Sequence, residues 1–135
     1  MANALYDKGR ESFLKGEISW NVDDIKAVLV DTGAYSVDLV NHQFLSDIPG
    51  GARIATSPNL TTKTTTAGVA DCDDIVVPLV TGTTVEAVVF YKDTGVAGTS
   101  RLIGYVDTGL GLPFTPNGAN VTLTIDNGAN KLFKL

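Results

Sequence analysis

The residues that come nearest to a catalytic pattern are Val28-Leu29-Val30-Asp31-Thr32-Gly33-Ala34, which match the apolar-apolar-Asp-Thr-Gly-Ala signature of aspartic proteases. In that chemistry two carboxylates in contact share one proton, because both cannot ionise side by side, and one activates water as a general base. A homodimer of short chains could supply both aspartates, and Leu102-Ile103-Gly104 imitates the apolar-apolar-Gly element of the retroviral-type enzymes. However, Asp-Thr-Gly occurs three times, at residues 31, 93 and 107, and Asp and Gly are the residues a strand-ending turn prefers. Leu102-Ile103-Gly104 also runs on into Tyr105-Val106-Asp107 as a strand, without the basic residue and helix of the protease family. The turn reading outweighs a retropepsin-like protease built on Asp31.

His42 is the only histidine, Cys72 the only cysteine, and no Gly-x-Ser-x-Gly elbow is present. His42 reads as a surface or boundary residue. Asp71, Asp73 and Asp74 should raise the pKa of Cys72 and leave it a poor nucleophile. One His and one Cys make no zinc site in one chain. The same aspartates could offer oxygens to calcium but lack an EF-hand's glycine and distal glutamate, so a solvated turn is expected. No glycine-rich stretch joins a strand to a helix as a phosphate loop must. Trp20, Phe44, Phe90, Tyr91 and Phe133 could form a stacking platform, although scattered aromatics in a small β domain usually fill its core. No catalytic, cofactor-binding or metal-binding residue is assigned, and the expectation is a protein that is not an enzyme and holds no cofactor.

The elements that would carry these residues are mostly strands. Residues 2–15 place Leu5, Tyr6, Phe13 and Leu14 where they could line a short helix, weakened by Gly9 and ended by Gly16. Ile25 to Val30 reads as a buried strand, and Tyr35 to Ile48 is ambiguous. Beyond lie seven candidate strands, 52–57, 60–66, 74–80, 85–92, 101–107, 120–125 and 131–135, separated by turn chemistry such as Ser57-Pro58-Asn59 and Asp126-Asn127-Gly128. Pro78 demotes its strand to an edge or bulge. Asn127-Gly128 suggests a tight hairpin returning Leu132, Phe133 and Leu135 beside Val121, Leu123 and Ile125. The predicted fold is mainly β: a single-domain antiparallel β-sandwich or open barrel over 21–135, with a short N-terminal helix or arm over 1–20.

At 135 residues the chain can bury a core without disulfides or metal. Only 19% of residues are charged, against about 25% in average soluble domains. That shortage favours some apolar surface covered by a partner, and oligomerisation is the simplest cover. Net charge is −5, with Lys and Arg scattered, which argues against nucleic-acid binding. No apolar run reaches the roughly 20 residues of a membrane span. The N-terminus lacks a secretory apolar core, so synthesis and retention in the cytosol are expected.

Taken together, Ala2-Asn3-Ala4-Leu5-Tyr6-Asp7-Lys8-Gly9, Ile25-Lys26-Ala27-Val28-Leu29-Val30-Asp31, Tyr91-Lys92-Asp93-Thr94-Gly95 and Asp126-Asn127-Gly128-Ala129-Asn130-Lys131-Leu132-Phe133 resemble a family of short proteins of tailed bacteriophages. The likeness spans nearly the whole chain and implies a virion structural protein made in the host cytoplasm. Two placements compete, a capsid decoration or cement protein and a tail, baseplate or fibre-associated adhesin. The absence of repeats and heptads favours the capsid. The implied partners are other copies of the chain and the major capsid protein or another virion protein. A trimer is the class expectation, because many capsid sites are threefold.

Overall fold

Three runs rich in β-branched and aromatic residues build the centre of the protein. In the computed structural model, which describes residues 4–125 and 132–134, they are β2 (Ile25–Val30), β6 (Ala87–Lys92) and β7 (Arg101–Val106). With β1 (Ala4–Leu5) and β3 (Arg53–Thr56) they form a five-stranded sheet ordered β1-β7-β6-β2-β3, every neighbouring pair antiparallel. Nearly every residue of β2, β6 and β7 is buried, so both faces of the sheet are covered. Such strands carry apolar runs instead of alternating with polar residues.

Because side chains alternate across a strand, the sheet divides its apolar residues between two cores. Ile25, Ala27, Leu29, Val88, Phe90 and Ile103 face one layer. Val28, Val30, Val89, Tyr91, Leu102 and Tyr105 face the other, where Tyr6, Tyr35, Leu45 and Ile48 cover them. The first layer contains two short antiparallel ribbons. One joins β5 (Ile75–Val77) to β8 (Val121–Leu123), and the other joins β4 (Val69–Ala70) to β9 (Phe133–Lys134). The fold is mainly β and antiparallel, as the sequence predicts, and the barrel is not closed.

The N-terminal segment folds as a helix built into the body, and over residues 4–20 it is no free arm. Leu5 pairs with Gly104 in β1, α1 spans Asp7–Leu14, and Ile18 and Trp20 are buried. Gly9 and Ser12 face the sheet, so the helix can approach β7 closely. Gly16 ends the helix at φ +73, a conformation glycine adopts without strain. Leu14, expected on the packed side, instead stands 89% exposed.

One expected strand and one expected hairpin are corrected. Residues 60–66 form no strand: Thr62 sits at φ +54, and only Thr64 bridges to Asp71. The hydroxyls of Thr61 and Thr62 turn instead to the Asp73 carboxylate. The expected hairpin between 120–125 and 131–135 is replaced by different partners. Val121–Leu123 pairs with Ile75–Val77, while Phe133 pairs with Ala70. There the Phe133 ring meets Trp20 edge-on at 5.3 Å and Phe13 at 6.1 Å, an aromatic contact unavailable beside β8. The turn Asp126-Asn127-Gly128 lies outside the described residues. The ambiguous 35–48 segment has one short 3₁₀ turn, Leu45–Asp47. Strand β5 stops at Val77, directly before Pro78, as a residue without an amide hydrogen requires.

Candidate functional site

Two of the Asp-Thr-Gly triplets fold as the same Asx turn. At the end of β2 the Gly33 amide donates to Asp31 Oδ1 at 2.8 Å, and after β6 the Gly95 amide donates to Asp93 Oδ1 at 3.0 Å. Asp31 Oδ2 also accepts from the Thr83 hydroxyl at 2.9 Å. These bonds favour the ionised form. The Gly33 amide first, then Thr83, hold the Asp31 carboxyl below the ordinary aspartate range. Thr32 donates to Glu86 Oε2 at 3.0 Å within the chain. Leu102-Ile103-Gly104 lies inside β7, where Gly104 leaves room for Leu5 of β1: a β-carbon on it would sit 3.3 Å from Leu5 Cδ2.

The remaining candidates are scattered. Cys72 is buried, and burial first, then Asp71, Asp73 and Asp74, push its thiol up to about 12, in the direction the sequence predicts. The acidic triplet does not converge: Asp73 takes the threonine hydroxyls, and Asp74 Oδ1 accepts the Ile125 amide at 2.9 Å. Among the described residues no group of three His, Cys, Asp or Glu could hold a metal. The aromatics occupy separate places. Phe90 and Tyr91 lie on opposite faces of the sheet, Phe44 lies under the Arg101 guanidinium at 5.4 Å, and Trp20 joins Phe133 and Phe13. The 108–118 loop is tied down by paired backbone bonds between Phe114 and Val85, leaving a shallow hollow between Phe114, Asn117 and Val121.

Two features escape the sequence reading. The first is a hydrogen-bonded chain beneath the second core: Tyr6 Oη lies 2.9 Å from Tyr35 Oη, which lies 2.8 Å from His42 Nδ1. The Asp38 amide also reaches His42 Nδ1, at 3.3 Å. Residues 29 positions apart give no local signal of such a contact. Burial pushes the Tyr35 hydroxyl up to about 12, even though the bond from Tyr6 works against it, and the Tyr6 hydroxyl is raised further.

The second feature is Leu79, which follows Pro78 at φ +49 and is 74% exposed. Its amide donates to Asn120 Oδ1 at 3.1 Å, and the next residue, Val80, is bonded through its amide and carbonyl to Ala119 and Gly118. The left-handed geometry is therefore held by the 118–120 segment that leads into β8. Such a conformation costs a branched residue roughly 1–2 kcal/mol. Leaving a leucine in water forgoes most of a further ~2 kcal/mol of burial. Hydrogen bonds to residues 118–120 hold the backbone in place, whereas the side chain gains little burial among the described residues. The sequence matches no protein-family model and no curated protein.

Proposed function

We propose that this chain is a bacteriophage virion structural protein that works by being laid against other proteins: a capsid decoration, or cement, protein in contact with further copies of itself and with the major capsid protein. Leu79 carries this reading. The fold holds this large apolar side chain out in water on a fixed backbone, and an apolar contact with another protein would bury it. Leu14 and Val22 add large apolar side chains that stand 89% and 76% exposed. β1 and β3, as the two edges of the main sheet, are where a further strand could pair. The resemblance to short tailed-phage proteins points to the particle as the place where such contacts are made.

The test is reconstitution. Purified chain added to particles that lack it should co-sediment with heads at a saturating stoichiometry and raise the temperature at which the heads release their genome. Binding to tails alone would move the assignment to the tail or baseplate. Binding to host cells by the free chain would favour an adhesin working through the 108–118 loop.

A further inference from the structure

The hydrogen positions in the Tyr6–Tyr35–His42 chain follow from its donors. A backbone amide can only donate, so the Asp38 amide fixes His42 Nδ1 as an acceptor without a hydrogen of its own. Tyr35 must then give its hydroxyl hydrogen to His42, and Tyr6 must give its own to the Tyr35 oxygen. The chain runs one way, Tyr6 to Tyr35 to His42, and it ends on a neutral imidazole protonated at Nε2. His42 is half-buried, so solvent protons reach it, whereas Tyr6 at the far end is fully buried.

We propose that this chain is an acid-released latch that holds the segment 35–42 over the second core while His42 is neutral and lets it go when the imidazole takes up a proton. A hydrogen on Nδ1 would occupy the lone pair that both the Asp38 amide and the Tyr35 hydroxyl use. Tyr35 would have to turn and donate to Tyr6, whose own hydrogen would then point into a buried site without its acceptor. Two donors are stranded by one proton.

The charged and titratable groups around the chain shape this response. Asp38, on the same segment, attracts an imidazolium, while its carboxylate already accepts from Val40 and Asn41. Asp47 and, from β7, Tyr105 act on the two tyrosines. The carboxylates invite the proton, and the hydrogen-bond geometry gives way to it. The latch is thus closed while Nδ1 of His42 is free to accept and opens when that nitrogen takes up a proton. Release should stay local. Residues 43–48 remain stitched to the 97–102 region by the backbone bonds of Leu102 to Gln43, Leu45 to Ser100 and Ser46 to Ala97. The Asp7 amide, which donates to Leu39 at 2.7 Å, would be loosened with the latch, freeing the start of α1.

Amide hydrogen exchange, corrected for the intrinsic effect of pH, tests this at about pH 7.5 and about pH 5. The expected result is a loss of protection of about tenfold or more at Asp38 and Asp7 in acid, with Val89 and Tyr91 unchanged. His42→Gln, which gains no proton, should show no such pH dependence. Equal protection at both pH values, or the same loss in His42→Gln, would overturn the proposal. Should that variant not fold, the ¹⁵N shifts of His42 in the unaltered chain decide. A neutral ring with bare Nδ1 is expected, and one protonated at Nδ1 contradicts the latch.

Discussion

Gly9 of the helix lies against the backbone of Leu102 in β7, so close that a β-carbon on Gly9 would stand 2.8 Å from the Leu102 carbonyl oxygen and 2.9 Å from that of Ile103. The atoms it would strike are backbone atoms of a central strand, which cannot turn aside. Alanine is the better helix former by about 1 kcal/mol, but overpacking against a fixed sheet costs about 1–3 kcal/mol. Gly9→Ala should therefore destabilise the protein by up to about 2 kcal/mol net, read as a lower urea midpoint. A raised midpoint would mean the helix is not seated as described.

Leu79 predicts the opposite sign. Glycine accepts φ +49 without strain, and the leucine side chain contributes little burial to the isolated fold. Leu79→Gly should leave the thermal midpoint equal or higher, by up to about 1 kcal/mol of stability, while weakening binding to heads at least tenfold. A variant that loses stability and binding together would show that the side chain serves the fold.

Acid stability should follow the carboxylates held by their turns. Asp31 is lowered by the Gly33 amide and Thr83, and Asp38 by Asn41. At Asp93 burial pushes the carboxyl up, but the Gly95 amide and Lys26 outweigh it. Each folded-state pKa lies below its unfolded value, so the stability these groups add is full above about pH 4 and is lost as pH falls through the folded values. The urea midpoint should drop as pH falls below about 4, and Asp31→Asn should flatten part of the drop. The same variant should bind heads as the unaltered chain does. Protease activity abolished by Asp31→Asn would instead restore the aspartic-protease reading.

Cys72 offers a probe of opening. With its thiol buried and pushed up to about 12, it should react slowly with iodoacetamide at neutral pH and at the ordinary rate in urea. Rapid labelling of the native protein would contradict the burial of the Cys72 side chain.

The central strands were legible because Ile25–Val30, Ala87–Lys92 and Arg101–Val106 are runs that only a strand covered on both faces can bury. The 60–66 segment was not, because its threonines suit a strand equally well and nothing local announces the left-handed turn at Thr62. The partner of the last strand is hidden from the sequence for a related reason. Asn127-Gly128 describes a turn, but where Phe133 goes is decided by Trp20 and Phe13, more than 100 residues earlier. The turn at Asp31 is legible because an Asx turn is a local bond, whereas the Tyr6–Tyr35–His42 chain exists only once α1 and the 35–48 segment meet over the sheet.

Cryo-electron microscopy of intact particles, at a resolution that traces side chains, bears most directly on the proposed role. The expected map shows copies of this chain on the outer surface of the head, with Leu79 enclosed by an apolar contact from a capsid subunit or a second copy. Particles devoid of the chain, together with a purified protein that sediments as a monomer at high concentration, would contradict it.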